Sequence, residues 1–301
     1  MATKTAFVSI VGRANVGKSS LLNAMVGEKI AAVSHKPQTT RTKITGIVTK
    51  GETQYIFIDT PGMHKAKTKL SAHMVDNINE AVKDVETAIF VVDCTKKIGD
   101  NEISLINSFK RTNKKVILAV NKVDLLSDKS VLIQILSEYS KLYDFEDIIP
   151  ISVLENDGLD LVFKAIDKNA QEEPHYFPDD ALTDQPEKVI MAEIIREKAL
   201  LNLNDEIPHG IAVAIEEVSE HDNRNNEAVL DIGAVIFCER ESHKGIIIGK
   251  RGSMLQKIGK DARIELESFF QIKVNLQCWV KVKEGWRNKE GIIRNFGLTN
   301  K

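Results

Sequence analysis

Residues 12–20 read GRANVGKSS, between an apolar run, AFVSIV (6–11), and the helix-like KSSLLNAMV (18–26). Two glycines with four residues between them, followed at once by lysine and two serines, make a poor strand and a poor helix cap. The pattern is GxxxxGK[ST]. Set between a strand and a helix, it confines the chain to an α/β unit whose first strand ends in a phosphate-binding loop. Glycines let successive N–H groups aim into one concavity, where Lys18 can reach the β- and γ-phosphates and the Ser19 hydroxyl can ligate Mg²⁺. The loop residues Gly12, Arg13, Ala14, Asn15, Val16, Gly17, Lys18, Ser19 and Ser20 are therefore candidate nucleotide ligands. The loop alone leaves ATP, GTP and other nucleotides open.

Two later stretches narrow the choice. FIDTPG (57–62) ends an apolar run, YIFID (55–59), with a carboxylate. A strand end there delivers Asp59 beside the phosphates to hold Mg²⁺ through water, and Gly62 can present its N–H to a γ-phosphate. Thr60, Pro61 and Met63 complete that loop. NKVD (121–124) follows VILAV (116–120) and supplies chemistry for the base. Guanine offers N1–H and an exocyclic amine side by side, which one carboxylate, Asp124, can accept. Adenine has an acceptor at N1 and would face that carboxylate with a lone pair, so discrimination of ~10⁴ or more is available. Asn121 can read N7 and O6, the Lys122 stem can lie over the ring, and Val123 spans the turn. GTP is favoured over ATP.

The remaining organisation follows from apolar periodicity. Near-continuous runs at 6–11, 55–59, 88–93, 116–120 and 148–152 alternate with helix-like segments, as a parallel sheet covered on both faces requires. Residues 1–172 read as a doubly wound, mostly parallel α/β domain. EEPHYFPDDALTDQPE (172–187), with three prolines, six acidic residues and no lysine or arginine, reads as a linker, placed at 173–187. Residues 188–301 then follow the order helix, two strands, two helices, strand, a smaller α+β domain ending in a basic tail. Two domains suit a length of 301 residues. The net charge of −2 provides no global field toward nucleic acid or membrane, so any such partner depends on local charge. Cys94, Cys238 and Cys278 lie far apart without metal spacing, which argues against disulfides or structural zinc and suits a cytosolic compartment. No stretch approaches the ~20 apolar residues of a membrane span.

Local charge is found at 243–263, HKGIIIGKRGSMLQKIGKDAR, where six lysines and arginines stand against one aspartate, a net of +5. Gly249 and Gly252 flank Lys250 and Arg251 between two helical segments, a GxxG loop that lets backbone approach sugar-phosphate while the cations neutralise it. Lys244 lies just upstream, and the flanking GIII and IG suggest an apolar groove for unstacked bases. WVKVKEGWRNKEGIIRNFG (279–297) adds Trp279 and Trp286, of which at least one reads as core.

These motifs resemble those of translation-factor-related GTPases, and the helix-strand-strand-helix-helix-strand order resembles a type II KH domain. With QTTRT, DTPGMH, NKVD and GKRG in that order across nearly the whole chain, the sequence is similar to the Era family, bacterial ribosome-assembly GTPases with a C-terminal KH domain. The resemblance implies that Thr40, or else Thr39, closes onto Mg²⁺ and the γ-phosphate, so the expected metal ligands are Ser19, Thr40 and Asp59. Lys18, Thr40, Asp59 and Gly62 are the expected catalytic set. SVL (152–154) stands where the family has Ser-Ala-Lys or Ser-Ala-Leu, which makes Ser152 and Val153 base contacts. Asn15 matches an asparagine that potassium-stimulated relatives use to bind K⁺, or is a plain loop former.

By the same resemblance the chain hydrolyses GTP to GDP slowly, with Mg²⁺ and possible K⁺ assistance, because Met63 stands where Ras-like enzymes have a water-orienting glutamine. The expected partners are the 3′-terminal region of 16S ribosomal RNA and the assembling small subunit. A cytoplasmic monomer with peripheral association at the inner membrane face completes the expectation. Two rivals stay open: an RNA-binding scaffold with structural nucleotide, and a GTPase for transfer-RNA modification or large-subunit assembly.

Overall fold

The structure is a computed structural model that describes residues 3–34, 36, 39–41, 43–61, 85, 87–204, 207–223, 225–296 and 298. The chain divides into two compact units, the first carrying 1–30, 40–66 and 73–184 and the second carrying 31–39, 67–72 and 185–301.

In the first unit the described strands are β1 (Lys4–Val11), β2 (Ile44–Lys50), β3 (Thr53–Asp59), β4 (Thr87–Asp93), β5 (Lys115–Asn121) and β6 (Asp147–Pro150). The described helices are α1 (Lys18–Val26), α2 (Asp100–Thr112), α3 (Lys129–Ser140) and α4 (Leu159–Asp167). The sheet order is β2-β3-β1-β4-β5-β6, parallel throughout except for β2 against β3. Every residue of β4 is buried, as its unbroken apolar run demands of a strand with both faces covered. Order reverses between β1, which leads out to β3, and β4, which leads the other way. The phosphate loop therefore leaves β1 at the switch point where ligands lodge in such sheets.

Strand β2 is new relative to the sequence reading. Its ITGIVTK carries threonines and a glycine among the apolar residues, so no clean period marks it. Its pairing is secured by the turn at Gly51 (φ 59°) and by α1, which packs so closely that a Cβ on Gly46 would lie 2.5 Å from Leu22.

The supposed linker is also different. Buried Gln54 accepts from the Tyr176 and Phe177 N–H groups at 2.8 and 3.0 Å and donates to the Phe177 carbonyl at 2.9 Å. Ile47 N–H donates to the Leu182 carbonyl at 2.8 Å, and the Thr183 hydroxyl to that of Thr45 at 2.6 Å. Residues 173–184 thus pair along an edge strand that would otherwise expose its ladder groups, and they belong to the first unit.

The second unit contains α5 (Glu187–Asn202), β7 (Ala212–Asp222), β8 (Ala228–Cys238), α6 (Glu241–Ile248), α7 (Ser253–Phe270), β9 (Lys273–Val282) and α8 (Glu290–Asn295). Its sheet runs β7-β8-β9, the first pair antiparallel and the second parallel. Ile190, Ile194 and Ile195 of α5 and Ile258, Ala262 and Leu266 of α7 share one core with Ile232 and Ile236 of β8. The described part of the basic tail packs onto the unit: Trp286 is fully buried, donates from Nε1 to the Gly210 carbonyl at 2.9 Å and meets Phe296 edge-on at 5.3 Å. Trp286→Ala should destabilise this unit by about 3–5 kcal/mol, the range for emptying an aromatic site. Urea unfolding followed by far-UV circular dichroism measures it, and a loss under ~1 kcal/mol would mean the tail closes no core.

Candidate functional site

The phosphate loop is shaped by positive backbone angles at Gly12 (φ 152°), Asn15 (64°) and Gly17 (103°). Two of these positions admit no side chain: a Cβ on Gly12 would lie 2.3 Å from the Val91 carbonyl oxygen, and one on Gly17 2.3 Å from Asn121 Nδ2. Lys18 is buried, with Nζ donating to the Arg13 carbonyl at 2.9 Å. Burial lowers its pKa, against the opposing pull of Asp59.

Asp59, at the end of β3, is completely buried. Its Oδ2 accepts from Ser19 Oγ at 2.6 Å, and Ser19 Oγ lies 2.7 Å from Thr40 Oγ1. Burial pushes this carboxyl up to about 6, although Lys18 and the Ser19 hydrogen bond act the other way. Asp59 Oδ1 is buried and has no hydrogen-bond partner among the described residues. An orphaned carboxylate oxygen beside two hydroxyls is a fitting set of hard oxygen donors for Mg²⁺. Thr40 is therefore the threonine brought to the site. The hydroxyl of Thr39 is spent locally, on the Lys36 carbonyl at 2.6 Å and on Ser34. Residues 31–39 group with the second unit, where Val33 N–H donates to Glu197 at 2.8 Å and the Thr39 carbonyl accepts from Arg196.

Thr60 is held by its hydroxyl on the Ile10 carbonyl at 2.9 Å, and Pro61 is buried beside it. Gly62 and Met63 lie outside the described residues.

At the base end the loops interlock. Asn121 Nδ2 donates to the Val16 carbonyl at 2.8 Å, and its Oδ1 accepts from Val153 N–H at 3.2 Å. The residue expected to read N7 and O6 is thus a bridge between the phosphate loop and the SVL turn, with one N–H and one lone pair left over. Lys122, at φ 69°, donates from Nζ to Asp93 at 2.6 Å and to the Asn15 carbonyl at 3.0 Å. Asp93 also accepts from Thr95 N–H and hydroxyl, and these bonds with that from Lys122 outweigh burial and hold its pKa down. Ser152 Oγ donates to Asp124 Oδ1 at 2.6 Å and accepts from Glu155 N–H at 3.2 Å, so Ser152 orients the carboxylate through its side chain. Asp124 stays exposed toward solvent, and Val123 is fixed by its N–H on the Ile151 carbonyl. Asp93 and Cys94, whose thiol donates to the Lys122 carbonyl at 3.1 Å, were invisible as site supports because their partner is 28 or 29 residues away.

In the second unit, Gly249 (φ 74°), Arg251 (53°) and Gly252 (82°) form the GxxG loop between α6 and α7. A Cβ on Gly249 would lie 2.7 Å from Met254 Cβ and 2.8 Å from its backbone nitrogen, so only glycine lets α7 begin there. Lys250 and Arg251 are exposed, and Lys244 is half-buried near Glu241. A cleft of about 1030 Å³ starts at Gly252 and runs between α7 and β9. Its apolar lining is Leu255, Val274, Leu276 and Cys278, and its cations are Lys257, Lys260 and Arg263. The groove expected from GIII and IG is therefore built differently, since Ile247 and Ile258 are core residues and β9 supplies much of the floor. Trp279 is exposed and stands over Gly233 on the other face of the sheet.

A phosphate loop interlocked with the NKVD turn on one unit, and a basic cleft opening from a GxxG loop on the other, put this chain in the class of P-loop GTPases that carry a KH domain. Comparison agrees. Residues 7–122 match the family model described as 50S ribosome-binding GTPase, and 206–287 the model described as KH domain. The GTPase Era of Ruminiclostridium cellulolyticum is 50% identical over 302 residues, covering 100% of both chains; that of Clostridioides difficile is 51% identical over 298 residues, covering 99% of each. Among solved structures, Era in complex with MgGDPNP and nucleotides 1506–1542 of 16S ribosomal RNA is 37% identical at TM-score 0.93, covering 99% of both chains. An Aquifex aeolicus Era variant bound to GDP·AlF4⁻ is 37% identical at TM-score 0.94, covering 99% of this chain and 100% of that one. This chain belongs to the GTPase Era family.

Ser152→Ala removes the hydroxyl that orients Asp124. A hydrogen bond to a charged group is worth about 1.5–3 kcal/mol, so Kd for GDP and GTP should rise roughly tenfold or more. Calorimetry with Mg²⁺ measures this, and an unchanged Kd would show that Asp124 needs no such support.

Proposed function

We propose that this protein is a GTP-hydrolysing switch that binds the single-stranded 3′-terminal region of 16S ribosomal RNA and acts in maturation and assembly of the small ribosomal subunit. One observation carries the reading: the relative whose structure matches 99% of this chain holds MgGDPNP and 16S ribosomal RNA together. Both corresponding regions here have the chemistry such ligands need. The rival of a GTPase for another RNA rests on likeness confined to the first unit, as in the family match over 7–122, whereas the Era likeness spans both units.

Lys18 and the loop N–H groups hold the phosphates, Ser19, Thr40 and Asp59 hold Mg²⁺, and Asp124 with Ser152 selects guanine. Bound Mg²⁺ supplies charge that neutralises the β- and γ-oxygens. Water attacks the γ-phosphorus and GDP leaves. Met63 has no group to orient that water, so electrostatic stabilisation by Lys18 and the loop carries the chemistry and intrinsic turnover is slow. A K⁺ ion at Asn15 would add the positive charge that is otherwise missing. Loss of the γ-phosphate releases Thr40 and Gly62, the event that makes the protein a switch.

At the second unit, the GxxG backbone with Lys250 and Arg251 clamps sugar-phosphate, and the cleft takes unstacked bases against Leu255 and Leu276. The reading extends to a cytoplasmic monomer with peripheral association at the inner membrane face. Three free thiols are compatible with a reducing compartment, and among the described residues no helix is long and apolar enough to cross a membrane.

Three measurements test this. Replacing Lys257, Lys260 and Arg263 together by alanine should weaken binding of a 16S 3′-end oligonucleotide. It should also cut the slope of log K against log salt by about 2, near 0.7 per lost phosphate contact. An unchanged slope would take the RNA out of the cleft. RNA affinity compared between GDP and a non-hydrolysable GTP analogue should differ by at least about fivefold. Equal affinities would remove the switch, and phosphate release no faster than from Lys18→Ala would leave only a scaffold.

A further inference from the structure

Arg13 is the second residue of the phosphate loop, yet its guanidinium leaves the loop. Nη1 lies 3.1 Å from Oε1 of Glu102, the third residue of α2. Glu102 is nearly fully buried, and its Oε2 accepts from the Gly99 N–H at 3.1 Å, so both carboxylate oxygens are in use. Its helix is anchored through Leu105, Ile106 and Phe109 in the core shared with β4 and β5. The backbone of the same arginine faces the other way, its carbonyl accepting from Lys18 Nζ at 2.9 Å. One residue thus joins a buried carboxylate on α2 to the ammonium that reaches the β- and γ-phosphates.

The entry to the loop is already pressed against β4, because Gly12 leaves no room for even a Cβ beside the Val91 carbonyl. The freedom that remains to Arg13 is to lift from the sheet or to turn its guanidinium inward. An arginine loose in this loop would pair with phosphate oxygens, since its planar fork suits them, and would draw the loop out of its shape. Tyr139, buried next to this pair, has its hydroxyl proton held by burial and by Glu102 while Arg13 acts against them. Within the pair the Glu102 side chain is 4% exposed and that of Arg13 35%, so the carboxylate is the fixed, buried member and the guanidinium reaches it from the surface.

We propose that Glu102 is a positioning residue for the phosphate loop: through Arg13 it fixes the carbonyl that orients Lys18, and it keeps the Arg13 guanidinium out of the phosphate site. The proposal rests on the GTPase reading, and turnover of the unmodified protein in the same assay tests that reading separately. Nothing in the motif pattern marks Glu102, which lies 89 residues from Arg13.

The test is a double-mutant cycle on the full-length protein with E102Q, R13A and R13A/E102Q, reading single-turnover GTP hydrolysis, Kd for a fluorescent GTP analogue and Tm. E102Q preserves shape and the acceptor for Gly99 while deleting the charge. Misplacing a reacting group costs rate steeply, so E102Q should lower the hydrolysis rate about tenfold with Kd changed less than about threefold. Once Arg13 is alanine, adding E102Q should cost under about twofold more, because the two residues act as one unit. R13K, which keeps a cation for Glu102, should recover at least about threefold of the rate lost in R13A. An E102Q rate within twofold of the unmodified protein, or the same loss in the R13A background as in the native one, overturns the proposal. A parallel fall of Tm and affinity without a specific rate loss would make Glu102 a structural residue only, and overturns it equally.

Discussion

A buried ammonium and a buried carboxylate face one another across the end of the sheet, and burial works against the charged form of each. The pKa of Lys18 is lowered and that of Asp59 is pushed up to about 6. Each offsets only part of the other's desolvation. A triphosphate would answer the lysine, and a divalent cation the carboxylate oxygen that has no hydrogen-bond partner among the described residues. Nucleotide and Mg²⁺ therefore suit this site together better than either does alone. The position of β1 next to β4, where the strand order reverses, places both charges at one crevice.

A loop with three positive backbone angles is held in shape by its surroundings. Around this one, Gly12 abuts Val91, Arg13 reaches Glu102, the Asn15 carbonyl meets Lys122, and the Val16 carbonyl meets Asn121. The same Asn121 and Lys122 form the turn that presents Asp124. Phosphate recognition and base recognition therefore share supports, and the geometry of one end constrains the other. Such sharing favours a rigid scaffold around the site.

The second unit solves a different problem with less polar machinery. A nucleic-acid single strand needs a basic rail and an apolar floor. The turn at Gly249 lets α7 begin close behind the loop, and α7 and β9 together line the cleft. In the tail that follows β9, Trp286 is buried, bonded to the Gly210 carbonyl and packed edge-on against Phe296.

The phosphate loop, the strand end at Asp59 and NKVD were legible in the sequence because they lie in contiguous residues, and so were β1, β3, β4, β5 and β6, because buried parallel strands are unbroken apolar runs. The GxxG loop was legible for the same reason. Tertiary structure decided what depends on residues far apart in the chain. Strand β2 exists because β3 and α1 pair and pack with it, and residues 173–184 belong to the first unit because Gln54 and the edge of β2 take up their backbone groups. The floor of the cleft comes from β9 instead of GIII, because the helix turn sends Ile247 into the core. Asn121 becomes a bridge, Ser152 an orienter and Glu102 a counter-ion through partners 28 to 105 residues away, and no local pattern encodes such distances.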